Sequence, residues 1–299
     1  MLDLMSRRLL YFIVSLAVLV PGLISLALPN RLNLGIEFTS GSTMTVRFEK
    51  PVELAEVRQA LGDLGHTDAI PQRTGGDFFL RLREISVEER QALEAGLKEK
   101  LGPLTVRDFA SVSPIVSREI GRDAALAIAA ATVGILLYMV WAFRRLMKPW
   151  RYGVCAIAAL LHDVLVVLGL FSLMGRFLGV PLEATFIAAL LAVVGYSINN
   201  TVVVYDRIRE NSAKGISKDF TQVVNQSLVE SLVRSINTSF TTVLAVLAVF
   251  LFGGETIRYF TLVFLIGITA GTYSCMFISS QLLVAWETRH WGRLWIRTA

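Results

Sequence analysis

The chain has 299 residues, 54% of them hydrophobic and only 18% charged, against about 25% charged in an ordinary soluble domain. The apolar residues are gathered into runs of about 20, the length that crosses a bilayer as a helix, so a wholly soluble protein is excluded. The net charge of +5 sits beside those runs, which is the signature of membrane topology and speaks against a nucleic-acid partner.

In chain order, the first apolar run is Leu9 to Leu28, preceded by Arg7 and Arg8. Leu28-Pro29-Asn30 is a poor cleavage site, so the run reads as an uncleaved anchor over 1–28. Pro21 and Gly22 are expected to bend it. A soluble insert follows over 29–121. Met44, Val46 and Phe48 alternate as a half-buried strand, and Pro51 opens a helix with Leu54, Val57 and Leu61 on one face. A short strand spans 69–72, Gly75-Gly76 turns the chain, and Phe78, Leu80 and Leu82 alternate again. Ser86-Val87-Glu88-Glu89 is a capping box that starts a second helix to about Leu101. Gly102-Pro103 ends it, and 105–112 closes as a strand. The order β-α-β-β-α-β predicts a ferredoxin-like α+β domain. It carries no catalytic constellation, so a binding or positioning role is expected rather than an enzyme.

Five more spans are expected within 122–288, at about 123–143, 152–174, 183–205, 235–252 and 257–286, giving six transmembrane helices in all, with a tail over 289–299. Arg144, Arg145, Lys148 and Arg151 crowd one connection, Arg207, Arg209, Lys214 and Lys218 another, and Arg289, Arg293 and Arg297 the tail. The opposite connections carry Arg176 and Arg258. The positive-inside rule then puts both termini in the cytoplasm and the insert outside. Ala124 to Ala131 and the pair Gly267 and Gly271 are small-residue faces for close helix packing. Cys155 and Cys275 fall inside apolar runs and imply no disulfide. His66, His162 and His290 match no metal-ligand spacing, and no cofactor is expected.

Polar groups at membrane depth cost about 2.5–3.5 kcal/mol each on insertion scales and mark functional positions. Three stand out. Asn200 lies in the fourth run, Arg234 opens the fifth, and Asp163 lies about a dozen residues into the third, near midplane at about 1.5 Å per residue. Asn200 and Arg234 meet if their helices pack antiparallel; the bland alternatives are an interhelical amide bond and a snorkelling arginine. Asp163 either holds Arg234 or hydrogen-bonds a facing helix as a protonated carboxyl, and reads equally as a structural or a proton-handling group, while His162 faces elsewhere. Asn199, Thr201, Asn237 and Thr238 are supporting polar positions. Thr238, Ser239, Thr241 and Thr242 either line a wet path or bond to their own backbone. Asp206, Arg207, Arg209 and Glu210 form either a solvated charge cluster or a gate.

Four stretches resemble the SecF side of the SecD/SecF family of protein-export membrane proteins, within the resistance-nodulation-division superfamily. They are Asn33 to Gly41, Leu161 to Leu165, Gly195 to Asn211, and Arg234 to Ser239 with Leu251 to Gly254. The resemblance implies a subunit of the bacterial cytoplasmic membrane. It acts with SecD beside the SecYEG translocon and uses the proton gradient to draw unfolded preproteins outward. It also implies that positions 200 and 234 are proton-relay positions, with the proton as coupling ion. The family reads Asn-Asp where this chain reads Asn199-Asn200, and an amide does not titrate. Either the change is engineered and traps one state, or it is natural and another acid or ion carries the coupling. A small-molecule exporter of the same superfamily and a structural adaptor of the translocon are the rival readings.

Overall fold

The computed structural model describes residues 3–29, 32–144, 146 and 148–288; Arg145 and the tail with Arg289, His290, Arg293 and Arg297 lie outside the described residues. The chain divides into two compact units, one of them Leu34–Ala125.

In that unit a single helical turn, α2 (Ile36–Thr39), leads into β1 (Gly41–Phe48). There follow α3 (Leu54–Asp63), β2 (Ile70–Thr74), β3 (Asp77–Leu82), α4 (Val87–Leu101) and β4 (Leu104–Val112). The sheet order is β2-β3-β1-β4 with every neighbour antiparallel, which is the ferredoxin-like arrangement expected from the element order. The alternating side chains Met44, Val46, Phe78, Leu80 and Leu82 are buried together with Val57, Leu61, Leu93 and Leu97 of the two helices. The capping box at Ser86 forms as read, the side chain accepting from Glu89 N while Glu89 caps Ser86 N. Pro51 does not open α3. The helix starts three residues later, where Glu53 and Glu56 make a reciprocal box of their own. Gly41 has φ +120°, and a Cβ there would sit 2.6 Å from Leu82 O, so a glycine is required where β1 begins beside β3. Arg81 steadies the preceding turn by donating to Leu34 O at 2.6 Å and Thr39 Oγ1 at 2.7 Å.

The other unit contains α1 (Arg8–Ala27), α6 (Pro149–Leu178), α7 (Ala184–Lys214), α8 (Phe220–Phe252) and α9 (Glu255–Ser274). A π-helical segment, Cys275–Ser279, follows α9 and continues as α10 (Ser280–Thr288). The connecting helix α5 (Pro114–Ala142) enters it from Leu126. Six stretches are long and apolar enough to cross a membrane among the described residues. The helices outrun the expected spans, α8 most of all. It begins at Phe220 instead of Ser235, capped by Asp219, whose side chain accepts from Thr221 N at 2.9 Å.

Close contacts fix the directions of these helices. On the α1–α6 seam, Ser15 meets His162, Gly22 meets Gly169 and Ser25 meets Ser172. Both bonded pairs are 147 positions apart, so α1 and α6 run parallel. Gly22 serves this contact: its added Cβ would lie 2.7 Å from Gly169 Cα. α9 packs parallel to α7, with Gly267 against Val193, Gly271 against Ser197, and Tyr205 Oη donating to Ser279 O. α8 runs antiparallel to α7, with Tyr196 paired to Ser239, Arg207 to Glu230 and Asn211 to Ser227. First with third, fourth with sixth parallel, and fourth with fifth antiparallel is the alternation a six-span chain must show.

Gly267→Leu forces a branched side chain into Val193 and is expected to lower stability by about 1–3 kcal/mol, whereas Gly134→Leu, with open space around it, is expected to be nearly neutral. Thermal unfolding of the two purified variants checks this; equal losses would contradict the packing described.

Candidate functional site

Asp163 is fully buried on α6. Its Oδ2 accepts from Ser197 Oγ of α7 at 2.6 Å and from Ser274 Oγ of α9 at 2.8 Å. Its Oδ1 lies 3.0 Å from His162 Nδ1, and His162 Nε2 lies 2.7 Å from Ser15 Oγ of α1. One carboxylate thus gathers hydrogen bonds from three other helices, directly or through its neighbouring ring. Arg234 is not among its partners. His162, expected to face elsewhere, turns its ring back onto Asp163 and bridges it to α1. Adjacent residues on a helix do not normally face each other; here the imidazole is long enough to fold across.

Asn200 is also buried, at 3% exposure, and its Nδ2 has no hydrogen-bond partner. The antiparallel register of α7 and α8 puts it level with Ser235, whose buried Oγ is likewise without a partner. Thr201 spends its hydroxyl on Ser197 O at 3.1 Å. Arg234 is one residue from Ser235, but its side chain is exposed and no bond joins it to Asn200. It lies midway along α8, because the helix begins fifteen residues before the apolar run that starts at Ser235. Asn237, Thr238 and Thr241 continue the same exposed face. The threonines bond to their own backbone: Thr238 donates to Arg234 O at 2.9 Å and Thr242 to Thr238 O at 2.8 Å. Ser239 points the other way, 3.1 Å from Tyr196 Oη and 2.6 Å from Thr272 Oγ1, and ties α8 to α7 and α9. Asn199 is exposed on α7.

Beyond the apolar part of α7, Arg207 donates to Glu230 of α8 at 2.6 Å and to Glu210 at 2.5 Å. Asn211 Nδ2 joins the same Glu230 at 2.8 Å and Ser227 at 3.0 Å. Asp206 pairs with Arg209 on the exposed side. So Arg207 and Asn211 clamp two helices, while Asp206 belongs to the solvated part of the cluster. Arg151, read as a loop cation, is 7% exposed and paired with Glu287 at 2.6 Å. No group of three or more histidines, cysteines or acids is placed to hold a metal among the described residues.

Ser15, Ser274 and Ser235 were not singled out by the sequence. A serine in an apolar run is ordinary, because it can return its hydroxyl to its own helix. The available signal is the seam spacing: Ser15, Gly22 and Ser25 repeat the seven- and three-residue steps of His162, Gly169 and Ser172.

A family model described as "Protein export membrane protein SecD/SecF, C-terminal" matches residues 93–289, and one described as "SecD/SecF GG Motif" matches residues 30–52. The protein translocase subunit SecF of Thermobaculum terrenum is 44% identical over 311 residues, covering 100% of this chain and 98% of that protein. That of Anaerolinea thermophila is 41% identical over 302 residues, covering 99% and 97%. The crystal structure of SecDF, a translocon-associated membrane protein from Thermus thermophilus, superposes with a TM-score of 0.83 at 34% identity. The match covers 96% of this chain and 39% of that one, so the chain spans well under half of the SecDF protein. With helices, insert and both motif regions matched from end to end, the chain belongs to the SecD/SecF family of protein-export membrane proteins, as a multi-pass SecF-type translocase subunit.

Proposed function

We propose that this chain is the SecF half of a SecD–SecF pair in the bacterial cytoplasmic membrane, and that the pair uses the proton gradient to help draw unfolded preproteins outward from the SecYEG translocon. The observation that carries the reading is the open polar face of α8. Arg234, Asn237, Thr238 and Thr241 lie exposed on a helix of membrane-spanning length. A guanidinium facing acyl chains is costly, so this face belongs against protein or water. The SecDF relatives, in which this chain matches 35–39% of the length, supply the partner type: a SecD subunit with its own spans. In this reading the termini are cytoplasmic and the ferredoxin-like insert is outside, which the basic connections support.

The family resemblance implies that position 200 is a proton-relay position, which this chain fills with an amide. Asn200 cannot ionise, and its buried Nδ2 has no partner in the chain. In this reading it is a fixed hydrogen-bond donor beside the α8 face, and the coupling proton is carried by another group.

The partner and the coupling are tested together. Tagged protein extracted in mild detergent is expected to bring down the SecD-like subunit, and vesicles containing both are expected to secrete more of a reporter preprotein when a proton gradient is imposed. One charge crossing 100 mV is worth about 2.3 kcal/mol, which caps the gain at about 50-fold per charge. Vesicles in which omission of this chain changes nothing would overturn the reading. Asn200→Asp puts a titratable carboxyl at the level of Ser235, the neighbour of Arg234, and is expected to raise the gradient-driven increment severalfold, with Arg234→Leu removing that gain; an unchanged increment would contradict the role given to position 200. For topology, Gln72→Cys is expected to label with an impermeant thiol reagent from outside and Ala213→Cys only after the cytoplasmic side is opened. Labelling of both from one side would contradict the orientation.

A further inference from the structure

Among the described residues Asp163 is the one carboxyl side chain less than a tenth exposed. No arginine or lysine reaches it. The group that faces its charge is the His162 imidazole, which gains or loses a proton far more readily than a permanent cation does. We propose that His162 and Asp163 together form a proton-binding site of this chain, with Ser15, Ser197 and Ser274 as its hydrogen-bonding shell. The proposal rests on the export reading for its use, and stands on its own geometry as a site.

The proton balance follows from the bonds. Without the extra proton the ring is neutral: Nδ1–H donates to Asp163 Oδ1 at 3.0 Å, and Nε2 accepts from Ser15 Oγ at 2.7 Å. Ser197 and Ser274 donate to Oδ2, and the pair carries one negative charge. An arriving proton forms an N–H bond at Nε2. The ring becomes an imidazolium, the pair becomes neutral overall, and no other covalent bond breaks. A buried net charge is costly, so proton uptake is favoured where the path to water opens. Nε2 then donates to Ser15 Oγ instead of accepting from it, and the Ser15 hydroxyl must turn to another acceptor. That reversal occurs on the α1–α6 seam, seven residues from the Gly22–Gly169 contact.

The surroundings leave the proton no nearer base. α1 and α7 present the hydroxyls of Ser15 and Ser197. The π-helical segment presents the Cys275 thiol, which lies near Asp163 but donates to Thr272 O at 3.3 Å. Glu287 of α10 is already paired with Arg151. The π-helical segment itself begins at the residue after Ser274. Such segments often sit at functional positions, so the Ser274 donor stands beside the least regular point of its span.

The test uses the full chain with its SecD-like partner in nanodiscs, with ring-15N histidine. The chain has three histidines, and His162→Gln assigns the signal. Acidification across about pH 9 to 5 is expected to convert the His162 ring from singly to doubly protonated. Asp163→Asn is expected to remove the doubly protonated signal. Ser15→Ala, which keeps acid and base and leaves the fold least disturbed, is expected to move the transition by about 0.5–1 pH unit. A His162 ring that stays singly protonated throughout, or a transition indifferent to both Asp163→Asn and Ser15→Ala, overturns the proposal. Vesicle secretion is read separately with Asp163→Asn and Asp163→Glu. A ring that titrates while the gradient-driven increment survives in Asp163→Asn upholds the site and overturns its use in export.

Discussion

The structure depends on a carboxylate that, among the described residues, no arginine or lysine pairs with. Asp163 is buried at membrane depth, where an unpaired ionised group is among the most costly things a chain can carry. It is tolerated because two hydroxyls from α7 and α9 and the imidazole of its own neighbour His162 converge on it. That requirement propagates outward. Ser197 reaches Asp163 only if α7 lies close to α6, and Ser274 only if α9 lies close to both. The close approach is made possible by glycines: Gly271 packs against Ser197, Gly267 against Val193, and Gly22 against Gly169. Removing one donor leaves the other groups buried and short of a partner, an asymmetry that makes such networks specify a single arrangement.

The contrast with α8 is instructive. Around Asp163 the polar atoms are satisfied within the chain. Along α8 the contrast lies in what is left over: Arg234 and Asn237 project outward beside threonines bonded to their own backbone, and the buried Nδ2 of Asn200 and Oγ of Ser235 are left without partners at the same level. One side of the helical unit is finished and the other is open. The ionic clamp from Arg207 and Asn211 to Glu230 holds α7 and α8 together just beyond this open stretch, so the face is presented by a rigid helix pair.

Much of this was legible in the residues. Six apolar runs, the β-α-β-β-α-β order and the Ser86 capping box follow from periodicity and local hydrogen bonding, which the sequence carries directly. The GxxxG at Gly267 was read as a packing face, and it is one. What was missed follows from tertiary contacts. Residues 220–234 are too polar to read as membrane helix, yet Ser227 and Glu230 are held by α7 and extend α8 by fifteen residues. Gly22 next to Pro21 reads as a bend, and its role as a contact depends on Gly169, 147 residues away. Asp163 announced itself as an acid near midplane, but its partners are serines, the residue type least distinguishable from background in an apolar run. Asn200 and Arg234 read as a pair that meets if their helices pack antiparallel. The structure leaves them unbonded, with the arginine turned to the open face.

The most direct measurement of this account is thiol accessibility along the open face. Asn237→Cys and Thr241→Cys, with Leu137→Cys on α5 as an exposed apolar comparison, are reacted with a water-soluble maleimide in membranes that contain or lack the SecD-like subunit. The account predicts that positions 237 and 241 react without the partner and are strongly protected with it, while position 137 reacts equally poorly in both. Equal reactivity of 237 and 241 in the two membranes would mean that the polar face of α8 is not where the second half of the transporter binds.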